Sequence, residues 1–367
     1  MNKIGFGFLR LPLLDPKNDQ TTDYEELNRM VDAFLASGQN YFDTAWTYMD
    51  GESENAIRRA LVERHPRESF RLADKLPGYM AKSEADSERF FRESLERTGA
   101  GYFDVYLVHG VDSESYERSK QMHHFDFVRR LKAEGKVKEI GFSFHDNANV
   151  LRQILTEQPG MDYVQLQINY LDWESDSVQS RKCLEVAEEF GKKVIVMEPV
   201  KGGMLANAPE EAAEILAKAN PDCSPAHWAL RFVQQIPSVE VCLSGMSTLA
   251  QVENNLGDFA PLSKAEDLAL KKAARVILDK TAIPCTGCSY CVSGCPQRVW
   301  IPKYFKLYNE YAAKPDDKWK VQPEYKKMTE GRGAAKDCIG CGACESKCPQ
   351  HLEIIKNLEM VCNLLKD

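Results

Sequence analysis

The chain carries no excess of positive charge. Its formal net charge is −8 over 367 residues, whereas nucleic acid and anionic lipid attract basic surfaces, so neither is an expected partner. It has no long apolar run either. No stretch approaches the ~18 residues a membrane span needs. The opening MNKIGFGFLRLPLLD is broken by Arg10 and Pro12 and holds no signal-peptide core or cleavage site. These absences predict a cytoplasmic protein without membrane contact. Also missing is a G-x-G-x-x-G turn between strand and helix, which weakens an open, doubly wound fold. Low-complexity segments are absent. The 12 cysteines do not form the even framework of a small disulfide-stapled domain. Eight fall in two clusters after residue 284, and Cys183, Cys223, Cys242 and Cys362 are scattered. Clustered cysteines in a cytoplasmic protein point to metal. The scattered four read as small buried apolar residues.

What is present is an alternation. Hydrophobic content of 43% and charged content of 28% are ordinary for a globular chain. From residue 4 to about 260, short apolar runs alternate with longer amphipathic ones. Strands are predicted at Ile4–Phe8, Asn40–Asp43, Phe70–Lys75, Phe103–His109, Val137–Phe144, Tyr163–Gln167, Lys193–Glu198 and Glu240–Ser244. Runs such as VYLVH and VIVM are apolar throughout, as strands covered on both faces are. The intervening segments read as helices. The first opens at Thr22 with Glu25 three residues on, a capping-box spacing, and ends before Gly38. Strand–helix repeats imply parallel strands joined by crossovers. Eight units favour an α/β fold closed as a (β/α)8 TIM barrel, with an open doubly wound sheet as the runner-up. Pro261–Lys280 reads as a helix leaving the barrel, and after Pro284 the texture turns to Cys, Gly and Pro. The expected domains are therefore 1–280 and 281–367.

The second domain holds the most specific pattern in the chain. Cys285-x2-Cys288-x2-Cys291-x3-Cys295-Pro296 recurs as Cys338-x2-Cys341-x2-Cys344-x3-Cys348-Pro349. Three closely spaced thiolates on a tight loop can cap three irons of one cubane, and the loop aims backbone N–H groups at the sulfurs. Structural zinc uses paired C-x2-C knuckles, which this triple run resembles poorly. The region from about 281 to 367 resembles two-cluster bacterial ferredoxins, whose run C-x2-C-x2-C-x3-C-P it matches. That resemblance implies two 4Fe–4S clusters. Cys285, Cys288, Cys291 and Cys348 would hold one, and Cys338, Cys341, Cys344 and Cys295 the other. A Lys- and Tyr-rich stretch, Val299–Lys336, separates the motifs, longer than a compact ferredoxin needs.

In a barrel, reactive groups collect at the C-terminal ends of strands. Asp43, Lys75 and His109 end three successive strands there, with Tyr48 in the first loop. Taken singly, each is as readily a helix cap, a solvated cation or a structural histidine. Together, Asp43-Thr44-Ala45-x-x-Tyr48, Lys75 in LADK and His109 in YLVHG resemble the aldo-keto reductase tetrad, and Gly51-Glu52-Ser53-Glu54 is similar to that family's G-x-S-E stretch. The resemblance implies that Tyr48 protonates a carbonyl oxygen as hydride arrives. Lys75, paired with Asp43, would lower the tyrosine pKa from its usual ~10, and His109 would orient the carbonyl. It also implies NADP or NAD at the strand ends. Ser143 and Gln165 match positions that hold the nicotinamide amide, and Met197 stands where the family often stacks a tyrosine. Gly245, Ser247, Gln251, Asn254 and Asn255 match the adenosine-phosphate region. With Met197 there are three departures: Phe144 replaces an asparagine, and Gln251 stands where an arginine is frequent. His145 follows a strand end and can face the same mouth.

The expected activity is NAD(P)H-dependent reduction of a small-molecule carbonyl, aldehyde or ketone, to an alcohol, with an attached electron-transfer module and a redox partner protein. Hydride transfer moves two electrons and each cluster one, and no flavin signature joins them. One alternative is a reductase fed through the clusters without nicotinamide. Another is a non-enzymatic redox adaptor, which the intact tetrad opposes.

Overall fold

Eight apolar runs become eight strands: β1 (Ile4–Gly7), β2 (Tyr41–Asp43), β3 (Arg71–Leu76), β4 (Phe103–Val111), β5 (Val137–Phe144), β6 (Tyr163–Gln167), β7 (Lys193–Met197) and β8 (Val239–Gly245). No end departs from the expected one by more than two residues. The structure is a computed structural model that describes residues 3–15, 18, 20–257, 259–313 and 318–364. The strands close in chain order into one barrel, every neighbouring pair parallel. Between and after them lie α1 (Tyr24–Ala36), α2 (Glu52–Ile57), α3 (Glu84–Thr98), α4 (Ser113–Gln121), α5 (His124–Ala133), α6 (Ala148–Glu157), α7 (Ser180–Glu189), α8 (Glu210–Ala219), α9 (Pro225–Gln234) and α10 (Leu249–Asn255). Among the described residues no helix is long and apolar enough to cross a membrane.

The side-chain period of two explains where the polar groups gather. Tyr41, Ala73, Leu107, Tyr163, Ile195 and Leu243 pack together inside the barrel. Two residues further along the same strands stand Asp43, Lys75, His109, Gln165, Met197 and Gly245. The barrel is thus filled by apolar side chains, and its last inward layer at the C-terminal ends carries the polar Asp43, Lys75, His109 and Gln165. At the opposite end Arg71 pairs with Glu139 (2.9 Å) and Glu240 (3.0 Å), and Lys193 with Glu139 (2.8 Å). A glycine sets one strand spacing. A Cβ on Gly141 would lie 2.2 Å from the carbonyl oxygen of Tyr163, so no larger residue fits where β5 meets β6.

Two expected boundaries move. Helix α1 is capped by Asp23, which accepts from the Glu26 N–H at 3.1 Å, rather than by Thr22 with Glu25. Thr22 is held extended in an antiparallel bridge to Leu13, so the capping position passes to the next residue. The helix expected from Pro261 begins at Lys264 instead. Ahead of it the chain is strapped to α9, with Arg231 donating to the Ala260 carbonyl (3.0 Å) and the Leu262 N–H reaching Gln235 Oε1 (3.2 Å).

The chain forms two compact units, Met1–Pro199 with Ala226–Ser263, and Val200–Pro225 with Lys264–Asp367. These units cut the chain differently from a single boundary at 280. In the second unit α11 (Lys264–Lys280) packs on α8, joined by Lys280–Glu211 (2.8 Å) and Asn220–Glu266 (3.2 Å). The cysteine-rich remainder contains α12 (Tyr290–Ser293), α13 (Ile301–Ala313), α14 (Lys318–Thr329) and α15 (Ile354–Leu364). The stretch between the motifs supplies core: Tyr304, Phe305, Leu307 and Val321 pack with Ile354, Leu358, Cys291 and Cys344. Residues 314–317 of that stretch lie outside the described residues. Of the scattered cysteines, Cys183, Cys223 and Cys242 are buried, and Cys362 packs against the second unit's core.

Candidate functional site

At the barrel mouth the Lys75 ammonium meets Asp43 Oδ1 at 2.6 Å and the Thr44 carbonyl oxygen at 2.7 Å. Both charged side chains are buried, 1% and 3% exposed. Burial pushes the Asp43 carboxyl up, and the Lys75 ammonium pulls it back down. The same ammonium lies 4.8 Å from the centre of the Tyr48 ring. Tyr48 in turn meets the His109 ring edge-on at 5.7 Å. The structure therefore brings together all four residues singled out in the sequence. Burial, then the Lys75 ammonium and then His145, hold the His109 imidazole well below its ordinary pKa, so the ring is neutral at pH 7. His145 follows the end of β5, its backbone N–H donating to the Val111 carbonyl at 2.9 Å.

Ser143 and Gln165 are register partners on β5 and β6 and are both buried. Ser143 Oγ accepts from the Gly110 N–H at 2.8 Å. Gln165 Oε1 is a buried acceptor with no protein donor, which costs free energy unless a ligand supplies one. An amide N–H of a bound nicotinamide fits that vacancy in the hydrogen bonding. Met197 is half-buried at the end of β7, and Gly245 is exposed at the end of β8. Beyond it, Gln251 Oε1 accepts from the Ser247 N–H at 2.7 Å. Asn255 Nδ2 is bonded to Ser244 Oγ at 3.0 Å, and Asn254 Nδ2 to Asn255 Oδ1 at 2.9 Å. These contacts tie α10 to β8.

Sequence reasoning gave no role to three neighbours of the mouth. Tyr79, in the loop after β3, packs its ring against His109 at 5.7 Å, and its hydroxyl lies 3.3 Å from Thr47 Oγ1. Its position four residues past Lys75 was the available signal. Behind Lys75 lies a carboxyl pair, Asp74 and Glu54, both fully buried. Asp74 Oδ1 accepts from the Lys75 N–H (2.7 Å) and Glu54 Oε2 from Arg97 (2.8 Å). Burial, then the neighbouring Glu54 charge, push the Asp74 carboxyl well above the usual carboxylate range. Asp74 Oδ2 and Glu54 Oε1 are both buried without a hydrogen-bond partner, so a proton on Asp74 shared with Glu54 would satisfy both groups.

In the second unit the eight motif cysteines line two separate cavities. Cys285, Cys288, Cys291 and Cys348 line one, about 320 Å³ including its open mouth. Cys295, Cys338, Cys341 and Cys344 line the other, about 340 Å³. Each loop's three cysteines are thus joined by the fourth cysteine of the other motif. The Gly287 N–H points at Cys285 Sγ, 3.4 Å away. Burial, with Cys288, Cys285 and Cys348 as neighbours, raises the Cys291 thiol, and burial raises Cys344 to about 11. Among the described residues no group of three or more His, Cys, Asp or Glu is arranged to hold a single metal ion. Four sulfurs spaced around a cavity fit a cubane, whose irons lie apart, better than one zinc ion, which draws its ligands to one point.

Residues 3–275 match the model of the Aldo/keto reductase family. The chain belongs to that family. Residues 284–353 match the 4Fe-4S dicluster domain, so this aldo-keto reductase barrel is fused to a ferredoxin-type iron–sulfur domain. Similar proteins include an uncharacterized oxidoreductase, YqkF, of Bacillus subtilis (strain 168), 23% identical over 70% of this chain and 86% of that one. Among solved structures, aldo-keto reductase AKR11C1 from Bacillus halodurans, in its holo form, has a TM-score of 0.60 at 24% identity, covering 75% of this chain and 92% of its own. An aldo-keto reductase from Klebsiella pneumoniae in complex with NADPH has a TM-score of 0.57 at 21% identity, covering 74% and 90%. At these identities the solved structures establish the fold. The family assignment makes the chain an oxidoreductase enzyme.

Proposed function

We propose that the barrel reduces the carbonyl group of a small molecule to an alcohol with NADPH or NADH, and that the C-terminal domain carries two 4Fe–4S clusters for a separate redox partner protein. The observation that supports this most is the buried Lys75–Asp43 pair set against Tyr48 and His109. Bound nicotinamide supplies the hydride. Tyr48 holds the proton that the carbonyl oxygen takes up. The Lys75 ammonium beside its ring favours the phenolate, which makes Tyr48 a stronger acid near neutral pH. Asp43 holds Lys75 in place through their 2.6 Å contact. His109, neutral, donates a hydrogen bond to the carbonyl oxygen without competing as an acid. Gln165 Oε1 and the Ser143 hydroxyl would hold the nicotinamide amide, with Met197 at the position where the family often stacks a tyrosine. Gly245, Ser247, Gln251, Asn254 and Asn255 border the adenosine phosphates. NADPH in the similarly folded Klebsiella pneumoniae enzyme supports the phosphorylated cofactor.

Cys285, Cys288, Cys291 and Cys348 hold one cluster, and Cys295, Cys338, Cys341 and Cys344 the other. Each cluster supplies one-electron transfer. Because the hydride carries both electrons of the reduction, the barrel needs none from the clusters to complete it.

The test is anaerobic turnover of an aldehyde and ketone panel with NADPH and NADH, by the parent chain and Tyr48→Phe. The expected result is a kcat loss of about 10²–10⁴-fold, with iron content unchanged. Undiminished kcat in Tyr48→Phe, or carbonyl reduction by dithionite-reduced protein without nucleotide, refutes the reading.

A further inference from the structure

Lys201 is 4% exposed, an unusual position for a lysine. Its backbone is left-handed (φ 47°), and Gly202 and Gly203 follow with φ 64° and 94°. A left-handed non-glycine residue is strained, and it persists only where its surroundings hold it. Here the surroundings are the first cysteine loop. A Cβ on Gly202 would stand 1.9 Å from the Thr286 carbonyl oxygen, and only glycine lets two backbones approach so closely. The turn delivers the Lys201 ammonium to Gln350 Oε1 at 3.2 Å. Thr286 and Gln350 are both buried, and both line the cavity of Cys285, Cys288, Cys291 and Cys348.

We propose that Lys201 is a tuning residue: a buried positive charge set beside the first cysteine cavity that raises the reduction potential of the cluster held there. The inference rests on the reading that these four cysteines hold a 4Fe–4S cluster. The potential of such a cluster follows its net charge, its hydrogen bonds and its exposure to solvent. Reduction adds one electron to a group already bearing thiolate charge, so a nearby cation stabilises the reduced form more than the oxidised one. That effect is strong where water cannot screen it. Lys347 also lines this cavity but is exposed, and solvent weakens its field. Among the described residues the second cavity is lined by its cysteines, Gln297 and apolar side chains, with no charged residue, and the charge that acts on its Cys344 is the Glu345 carboxylate, of opposite sign. The buried cation beside the first site comes from a segment, Val200–Gly203, far from both motifs in sequence.

The experiment uses the full chain, purified without oxygen, as parent, Lys201→Met, Lys201→Arg and Lys347→Met. Iron and sulfide are measured per chain. Each protein is then titrated with dithionite in the presence of mediators, with each cluster read by EPR. In Lys201→Met we expect full iron. At a fixed potential the reduced-to-oxidised ratio of one cluster falls about tenfold, which is about 59 mV for a one-electron couple, and the other cluster moves less. Lys201→Arg and Lys347→Met stay near the parent. Unchanged ratios in fully loaded Lys201→Met overturn the proposal. So does loss of iron from that variant, because a residue acting through charge alone is dispensable for assembly. A shift in Lys201→Arg as large as in Lys201→Met overturns it as well, because arginine keeps the charge. A parent chain without any 4Fe–4S signal refutes the cluster reading itself, and the inference with it.

Discussion

Replacing Lys75 by methionine tests the barrel site through stability as well as rate. Methionine keeps most of the volume but removes the donor that reaches Asp43 Oδ1 at 2.6 Å and the Thr44 carbonyl at 2.7 Å. Asp43 Oδ2 is already buried without a partner, so the remaining carboxylate has nothing nearby to compensate its charge. Breaking a buried ion pair on one side costs about 3–5 kcal/mol, and that is the loss expected at pH 7. Replacing both partners, as in Lys75→Met with Asp43→Leu, leaves only the Thr44 carbonyl short of a donor, a cost of about 1–3 kcal/mol. The double variant is therefore more stable than Lys75→Met alone by about 2 kcal/mol. The loss is also pH-dependent. Burial already raises the Asp43 carboxyl above its ordinary value, and losing Lys75 raises it further. A folded-state pKa above the unfolded one means that the folded protein holds the extra proton. The deficit of Lys75→Met consequently shrinks as pH falls towards about 4, the unfolded aspartate value, and is full well above it. Urea unfolding at pH 5 and pH 7, followed by tryptophan fluorescence, measures this. Trp46, Trp173 and Trp228 all lie in the barrel unit. A deficit under about 1 kcal/mol at pH 7, or no recovery in the double variant, shows that the pair is not the buried, mutually dependent unit described.

Two further outcomes follow from the geometry. Asp74→Asn keeps an acceptor for the Lys75 N–H and a donor for Glu54. The parent's stability from Asp74 is fully present below the unfolded aspartate pKa and falls by about 1.4 kcal/mol per pH unit above it, up to the raised folded value. The variant lacks that slope and is the more stable protein at pH 8; equal slopes in the two refute the shared proton. For the cysteines, Cys348→Ser lowers iron towards about half, the share of one of two clusters. Adding Cys288→Ser removes little more, whereas adding Cys341→Ser removes the rest. The reverse pattern, read by iron analysis and EPR, shows that each motif keeps its own fourth cysteine.

Much was legible in the sequence because the signals are local. The eight strands fall within two residues of their expected ends, since apolar runs bounded by turn residues encode strand formation directly. The period of two then places Asp43, Lys75, His109 and Gln165 in one inward layer once the sheet closes. The cysteine spacing defines two ligand loops for the same reason. Tertiary structure decided what depends on residues distant in sequence. It moved the cap of α1 to Asp23 because Thr22 is taken by a bridge to Leu13. It brought Tyr79 onto His109 and set Asp74 against Glu54, pairings that no local pattern encodes. It also packed Val200–Pro225 and α11 into the same unit as the cysteine motifs and placed Lys201 beside Gln350. Spacing along the chain specifies which side chains share a strand face or a loop. Which distant group is desolvated beside them is set by close packing, and that environment fixes the charge and potential on which the chemistry depends.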